Sequence, residues 1–265
     1  MMRAAVLALL LALAAPAIAQ TPAPRTDIAA LLKDAKADPA IKSALATKDR
    51  SVDARVRDEG RMVELILKAA DARPGQRVLD VGSGGGYLAL LFSSLVGEKG
   101  HVDIHNTPGW INQFPSMDPS VQKARIKRAN IGWITEPWNG IPGEPNSYDI
   151  IVLGQVYHDV GLEAGDYAAL DKRFFELLKP GGRVVIEDHD AIPEMYFAQQ
   201  LNLHRISHGD VEGLMLRAGF AMTDMILIES QYDDRRFNVF RPGVRGRTDR
   251  FIATFVKPAD GKPLR

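Results

Sequence analysis

Residues 78–87, Val78-Leu79-Asp80-Val81-Gly82-Ser83-Gly84-Gly85-Gly86-Tyr87, constrain the fold of this chain more than any other stretch. A short apolar run carries an acid two residues before the first of four glycines in five positions, and a second apolar segment starts at Tyr87. Glycines let a backbone approach a ligand closely, and a helix that begins there offers free N–H groups to it. In an α/β architecture such a turn lies at the carboxyl edge of a parallel sheet, where ligands bind. A dinucleotide fingerprint would need G-x-G-x-x-G, but Tyr87 stands where its third glycine belongs.

The rest of the chain supplies that architecture. The pattern predicts strands at 77–81, 101–105, 131–135, 148–153 and 183–187, alternating with helices at 87–96, 121–129 and 167–178. Strands this continuously apolar belong to a sheet covered on both faces and mostly parallel. A helix at 211–218 precedes strands at 222–228 and 250–256, which no helix joins; these two can pair antiparallel at the sheet edge. Before Arg77 the spacing predicts helix over 27–47, interrupted at Pro39, and over 51–72, with Val56, Met62, Val63, Leu65 and Ile66 on one face.

Composition excludes several classes. With 46% hydrophobic and 25% charged residues the chain has ample material for a core. Basic and acidic residues both number 33, so a chain-wide basic footprint for nucleic acid is absent. There are no cysteines, which removes disulfides, thiolate metal sites and cysteine nucleophiles.

The glycine turn resembles motif I of the class I S-adenosylmethionine-dependent methyltransferases. Tyr148-Asp149-Ile150-Ile151-Val152-Leu153 looks like that family's fourth strand, Leu177-Leu178-Lys179-Pro180-Gly181-Gly182-Arg183 is similar to the turn before its fifth, and Ala218-Gly219-Phe220 to the segment before its sixth. A narrower likeness, carried by Gly84-Gly85-Gly86-Tyr87, Tyr157-His158-Asp159 and Gly246-Arg247-Thr248-Asp249-Arg250-Phe251, is to a bacterial group of predicted, often exported methyltransferases. The resemblance implies a Rossmann-like fold: a mostly parallel seven-stranded sheet with an antiparallel edge hairpin and an N-terminal helical cap. It implies S-adenosyl-L-methionine as cofactor and a small molecule as methyl acceptor. Asp80, Gly82, Ser83, Gly84, Gly86 and Tyr87 would then hold the methionine end, with Asp80 facing its ammonium. Asn106 would take the place of the acid that binds the ribose hydroxyls, Glu136 would lie near the adenine, and Gln155 would also line the cofactor site.

Methyl transfer from a sulfonium is a direct displacement, so it needs an in-line nucleophile about 3 Å away and sometimes a base. His158, just past the fourth strand, is the expected base or orienter, with Asp159 fixing its tautomer. The N-P-P-[FYW] motif of adenine methylation is missing, and Gly154-Gln155-Val156-Tyr157 occupies its place. Arg61 could meet the cofactor carboxylate or a substrate anion. The arginines between 235 and 250 could form an anionic-substrate rim or a solvated loop. Asp188-His189-Asp190 and a helical pair His204 and His208 leave a metal reading open, but no zinc signature supports it and no metal ligand is assigned. Two rival functions stand beside the transferase: a catalytically silent cofactor-binding protein and a metal-dependent hydrolase.

At the N-terminus Arg3 precedes an unbroken apolar run, Ala4 to Ala15, then Pro16 and Ala17-Ile18-Ala19. A run this short falls below the roughly 20 residues that span a bilayer, and the pattern is that of a secretory signal peptide. The expected organisation is a signal peptide over 1–19, a helical cap over 20–75 within the same domain, a methyltransferase domain over 76–258 and a tail over 259–265. The mature chain would be periplasmic or secreted, with no membrane segment and no nucleic-acid partner. The sequence carries no sign of an oligomeric state.

Overall fold

The computed structural model describes residues 27–163 and 165–264. The expected signal peptide and its cleavage point lie outside them. Seven strands form one sheet in the order β3-β2-β1-β4-β5-β7-β6: β1 (Arg77–Val81), β2 (His101–Asn106), β3 (Ile131–Thr135), β4 (Tyr148–Gly154), β5 (Leu178–His189), β6 (Ala221–Ile228) and β7 (Arg250–Val256). β1 to β5 run parallel, and β7 pairs antiparallel with both β5 and β6. This is the mixed sheet that the strand pattern predicts, with the hairpin at one edge.

Alternation within the strands builds two cores. Val78, Ile150, Val152 and Val185 face one side of the sheet, while Leu79, Val81, Ile151, Leu153, Val184 and Ile186 face the other. The first side is covered by α1 (Ile28–Ala37), α2 (Pro39–Leu45), α4 (Val63–Ala70) and α5 (Tyr87–Val96). The second is covered by α9 (Tyr167–Leu177) and α11 (His208–Arg217). Shorter helices α6 (Pro108–Gln113), α7 (Pro119–Arg125), α8 (Asp159–Leu162) and α10 (Phe197–Asn202) sit in the connections. Asp27, Asp38, Ser51, Thr107, Asp118, Asp166 and Ser207 cap helix N-termini through their side chains.

Three local expectations are corrected. The helix expected over 51–72 breaks into α3 (Val52–Arg61) and α4 at Met62, which is left-handed with φ 49°. The Arg250 guanidinium accounts for the break: it donates to the carbonyls of Gly60 and Arg61 at 2.9 and 2.8 Å, satisfying the end of α3. Val56 therefore leaves the apolar face and is 74% exposed. The helix expected over 121–129 is shorter and starts at Pro119, where Asp118 caps it. His204 and His208 do not share a helix. His204 sits in a turn at φ 54°, and His208 opens α11.

Candidate active site

Strand order reverses between β1 and β4, because the chain leaves β1 for β2 and β3 and then returns to β1's other side. The crevice at that switch is bounded by the glycine turn after β1 and by Gly154-Gln155-Val156 after β4. It holds a cavity of about 350 Å³ whose walls include Asp80, Gly82, Gly84, Arg57, Trp110 and Gln155. Gly82, Gly84 and Gly86 all have positive φ, as the chain doubles back before α5. A Cβ at Gly82 would press on Val156 and Trp138 at 3.0 and 3.1 Å.

Asp80 sits on the buried floor of this cavity and accepts a 2.5 Å hydrogen bond from Ser83 Oγ. Burial pushes its pKa up to about 7, against that hydrogen bond. Asn106 is placed differently from the ribose role expected of it. Its amide clamps the turn itself, accepting from Gly84 N–H at 2.8 Å and donating to Gly84 C=O at 3.0 Å. Glu136 is exposed and contributes only its carbonyl, bonded to His105 Nε2 at 2.8 Å. Tyr87 bonds Asp58 at 2.7 Å and lies under the guanidiniums of Arg50, Arg57 and Arg61.

A second cavity, about 560 Å³, opens alongside. It shares Arg57, Arg61, Gln155 and Phe240 with the first and adds Val56, His189, Val239 and Arg245. Gln155 stands on the shared boundary in a left-handed conformation, φ 62°, fixed by bonds from its N–H and its amide to Glu187. Glu187 is fully buried, paired with both Arg61 and Arg250. Burial opposes its charge, but the two guanidiniums outweigh burial and hold its carboxyl below the ordinary value.

His158 belongs to neither wall. Its Nδ1 faces Asp188 at 2.7 Å, its backbone N–H donates to the same carboxylate at 2.9 Å, and Nε2 faces Asp159 at 3.3 Å. Burial works against charging the ring, yet Asp188 and Asp159 outweigh it and hold His158 up to about 10. A ring with both nitrogens turned to carboxylates has no lone pair for a substrate proton, which corrects the base expected at this position. The cavity histidine is His189. Thr248 Oγ1 engages its Nδ1 at 2.7 Å and leaves Nε2 for a ligand. Burial, with the positive charges around it, drives the His189 pKa well below 6.5, so the ring is neutral. His189 was visible in the sequence only as part of an acidic cluster, because its partner Thr248 lies on the other side of a long connector.

Arginines of that connector and beside it are partly taken up in ion pairs. Arg205 and Asp233 form a wholly buried bidentate bridge, and Arg235 joins Asp190 to Asp249. Arg245, with Arg57, faces the larger cavity.

Comparison with known proteins places these features. Residues 54–224 match the family model described as "Methyltransferase domain". The chain belongs to this methyltransferase family. Among curated relatives, the methyltransferase is 27% identical over 189 residues to the ubiquinone/menaquinone biosynthesis C-methyltransferase UbiE of Vibrio cholerae, covering 59% of this chain and 68% of that protein. UbiE of Shewanella sediminis is 25% identical over 190 residues, covering 60% and 71%. Among solved structures, a SAM-dependent methyltransferase from Aquifex aeolicus superposes with a TM-score of 0.55 at 18% identity, over 85% of this chain and 97% of that one. An arsenic(III) S-adenosylmethionine methyltransferase from Chlamydomonas reinhardtii gives 0.51 at 20% identity, over 82% and 73%. These structures share the fold.

The enzyme's cofactor is S-adenosylmethionine, and the glycine-turn cavity fits it. A buried carboxylate at Asp80 suits the ammonium, the Arg57 guanidinium suits the carboxylate, and the turn leaves room for backbone contact. Bound there, the cofactor supplies a methyl group on a sulfonium. The protein's own part is to hold it beside Gln155, which lines both cavities.

Proposed function

We propose that this methyltransferase transfers its methyl group to a small-molecule acceptor seated in the larger cavity, and that it does so after export. The observation that carries the reading is the pair of adjoining cavities sharing Gln155, Arg61 and Phe240. One cavity ends in the glycine turn. The other combines apolar walls at Val56, Val239 and Phe240 with the neutral ring of His189. Likeness to the UbiE proteins, named as C-methyltransferases, supports carbon as the acceptor atom. A hydroxyl on the acceptor, hydrogen bonded to His189, would orient the ring and feed electron density toward the carbon attacked. The sulfonium S–CH3 bond breaks as the C–CH3 bond forms and the proton displaced from that carbon passes to solvent water, while His189, its pKa well below 6.5, works by placement.

The test is methyl transfer from labelled S-adenosylmethionine to a panel of small hydroxylated aromatic compounds, alongside proteins and nucleic acids as acceptors. Label on a small molecule, lost when Phe240→Asp removes the aromatic ring and charges the shared wall, supports the reading. Label only on macromolecules would overturn it. Export rests on Arg3, the apolar run from Ala4 to Ala15 and the Ala17-Ile18-Ala19 pattern. No helix among the described residues is long and apolar enough to cross a membrane.

A further inference from the structure

Beyond the methyl-transfer site, we propose that His158, Asp159 and His204 bind a divalent transition cation of the zinc type. One ligand atom from each of the three lies within 4.8 Å of the others. Asp159 Oδ1 is 3.3 Å from His158 Nε2 and 3.5 Å from His204 Nδ1. Ligands bonded to zinc at about 2.0–2.2 Å on a tetrahedron stand about 3.3–3.6 Å apart, so these two edges already have the spacing. Two imidazoles and one carboxylate are a donor set for zinc or iron(II), not for magnesium or calcium.

The surroundings are those of a built site. Asp188, wholly buried, receives Nδ1 of His158 at 2.7 Å and the backbone N–H of His158 at 2.9 Å. A carboxylate in that position turns the other nitrogen toward the cation and sets the ring's tautomer. The His204 ring packs edge-on against His158 at 5.4 Å and against Phe240 at 4.9 Å, which holds it beside Asp159. His158 is closed off while Asp159 and His204 are partly exposed, so a fourth position remains for water or for a ligand atom. Entry of the cation releases the proton that Nε2 shares with Asp159, the usual exchange when histidine becomes a ligand.

The experiment uses the full chain, treated with a chelator and titrated with Co²⁺. Uptake of about one equivalent is expected, with the visible ligand-field bands of a low-symmetry nitrogen–oxygen site that Zn²⁺ then abolishes. His204 is only partly buried, so His204→Ala tests the site with the core intact, and it should weaken Co²⁺ binding at least about tenfold. Asp188→Asn, a change at a positioning residue, should weaken it about 10–100-fold. Absence of stoichiometric binding overturns the proposal. So does a His204→Ala variant that binds Co²⁺ as tightly as the parent.

Discussion

At the scale of single residues, Asp80 couples stability to cofactor binding. Its folded pKa, about 7, lies above the ordinary 3.8. The group's penalty is therefore absent below about 3.8 and complete above about 7, so its contribution to stability falls as pH rises through that window. A cationic cofactor needs the ionised form. S-adenosylmethionine affinity should thus decline about tenfold per pH unit below about 7, as calorimetry at stepped pH would show. Asp80→Asn keeps the partner of Ser83 but loses the charge. It should raise the urea midpoint at neutral pH and weaken cofactor binding by about 1–3 kcal/mol. A variant that binds as well as the parent would remove Asp80 from the site. At Gly84, φ is 58°. Gly84→Val should therefore strain the turn by about 1–3 kcal/mol and cut cofactor affinity in the same calorimetry. His189 separates binding from turnover. His189→Ala should leave cofactor affinity within a few fold and lower single-turnover transfer, with partial rescue in His189→Gln; equal rates in all three would make the ring a bystander.

At the scale of elements, the buried Arg61–Glu187–Arg250 cluster joins α3, β5 and β7. Arg250→Met leaves Glu187 with one guanidinium and strips the carbonyls of Gly60 and Arg61. It should cost about 3–5 kcal/mol in denaturant unfolding. Because Glu187's folded pKa is depressed below the ordinary 4.5, its stabilisation holds above that value and disappears as pH falls through the folded pKa. The parent should thus lose more stability on acidification than the variant. This cluster also shows where sequence reading stops. The strands, the glycine turn and the switch crevice were legible because alternation and glycine position are local. The break at Met62 was not, since its cause is Arg250, 189 residues beyond the Arg61 carbonyl that it binds. For the same reason the sequence offers His158 as a base or orienter held by Asp159 alone: Asp188, 30 residues on, is its neighbour only once β4 and β5 pair. The sequence points to Asn106 as a ribose ligand because nothing local shows that Gly84 folds back onto its amide.

At the scale of the molecule, the export proposed above rests on the apolar N-terminal run. N-terminal sequencing of protein from its native host should begin at Gln20; intact Met1 in the cytosol would refute export. The place of β7 has a consequence for such a journey. It is the last of the described strands in chain order, yet it lies between β5 and β6, and its Arg250 ends α3. A chain emerging N-terminus first can assemble β1 to β5 early, but β5 keeps an open edge until residue 256 has passed. The wall that Arg61 gives both cavities is likewise set only then. The topology thus defers completion of the site to β7, and a chain cut short before it would carry an exposed edge and an unfinished wall.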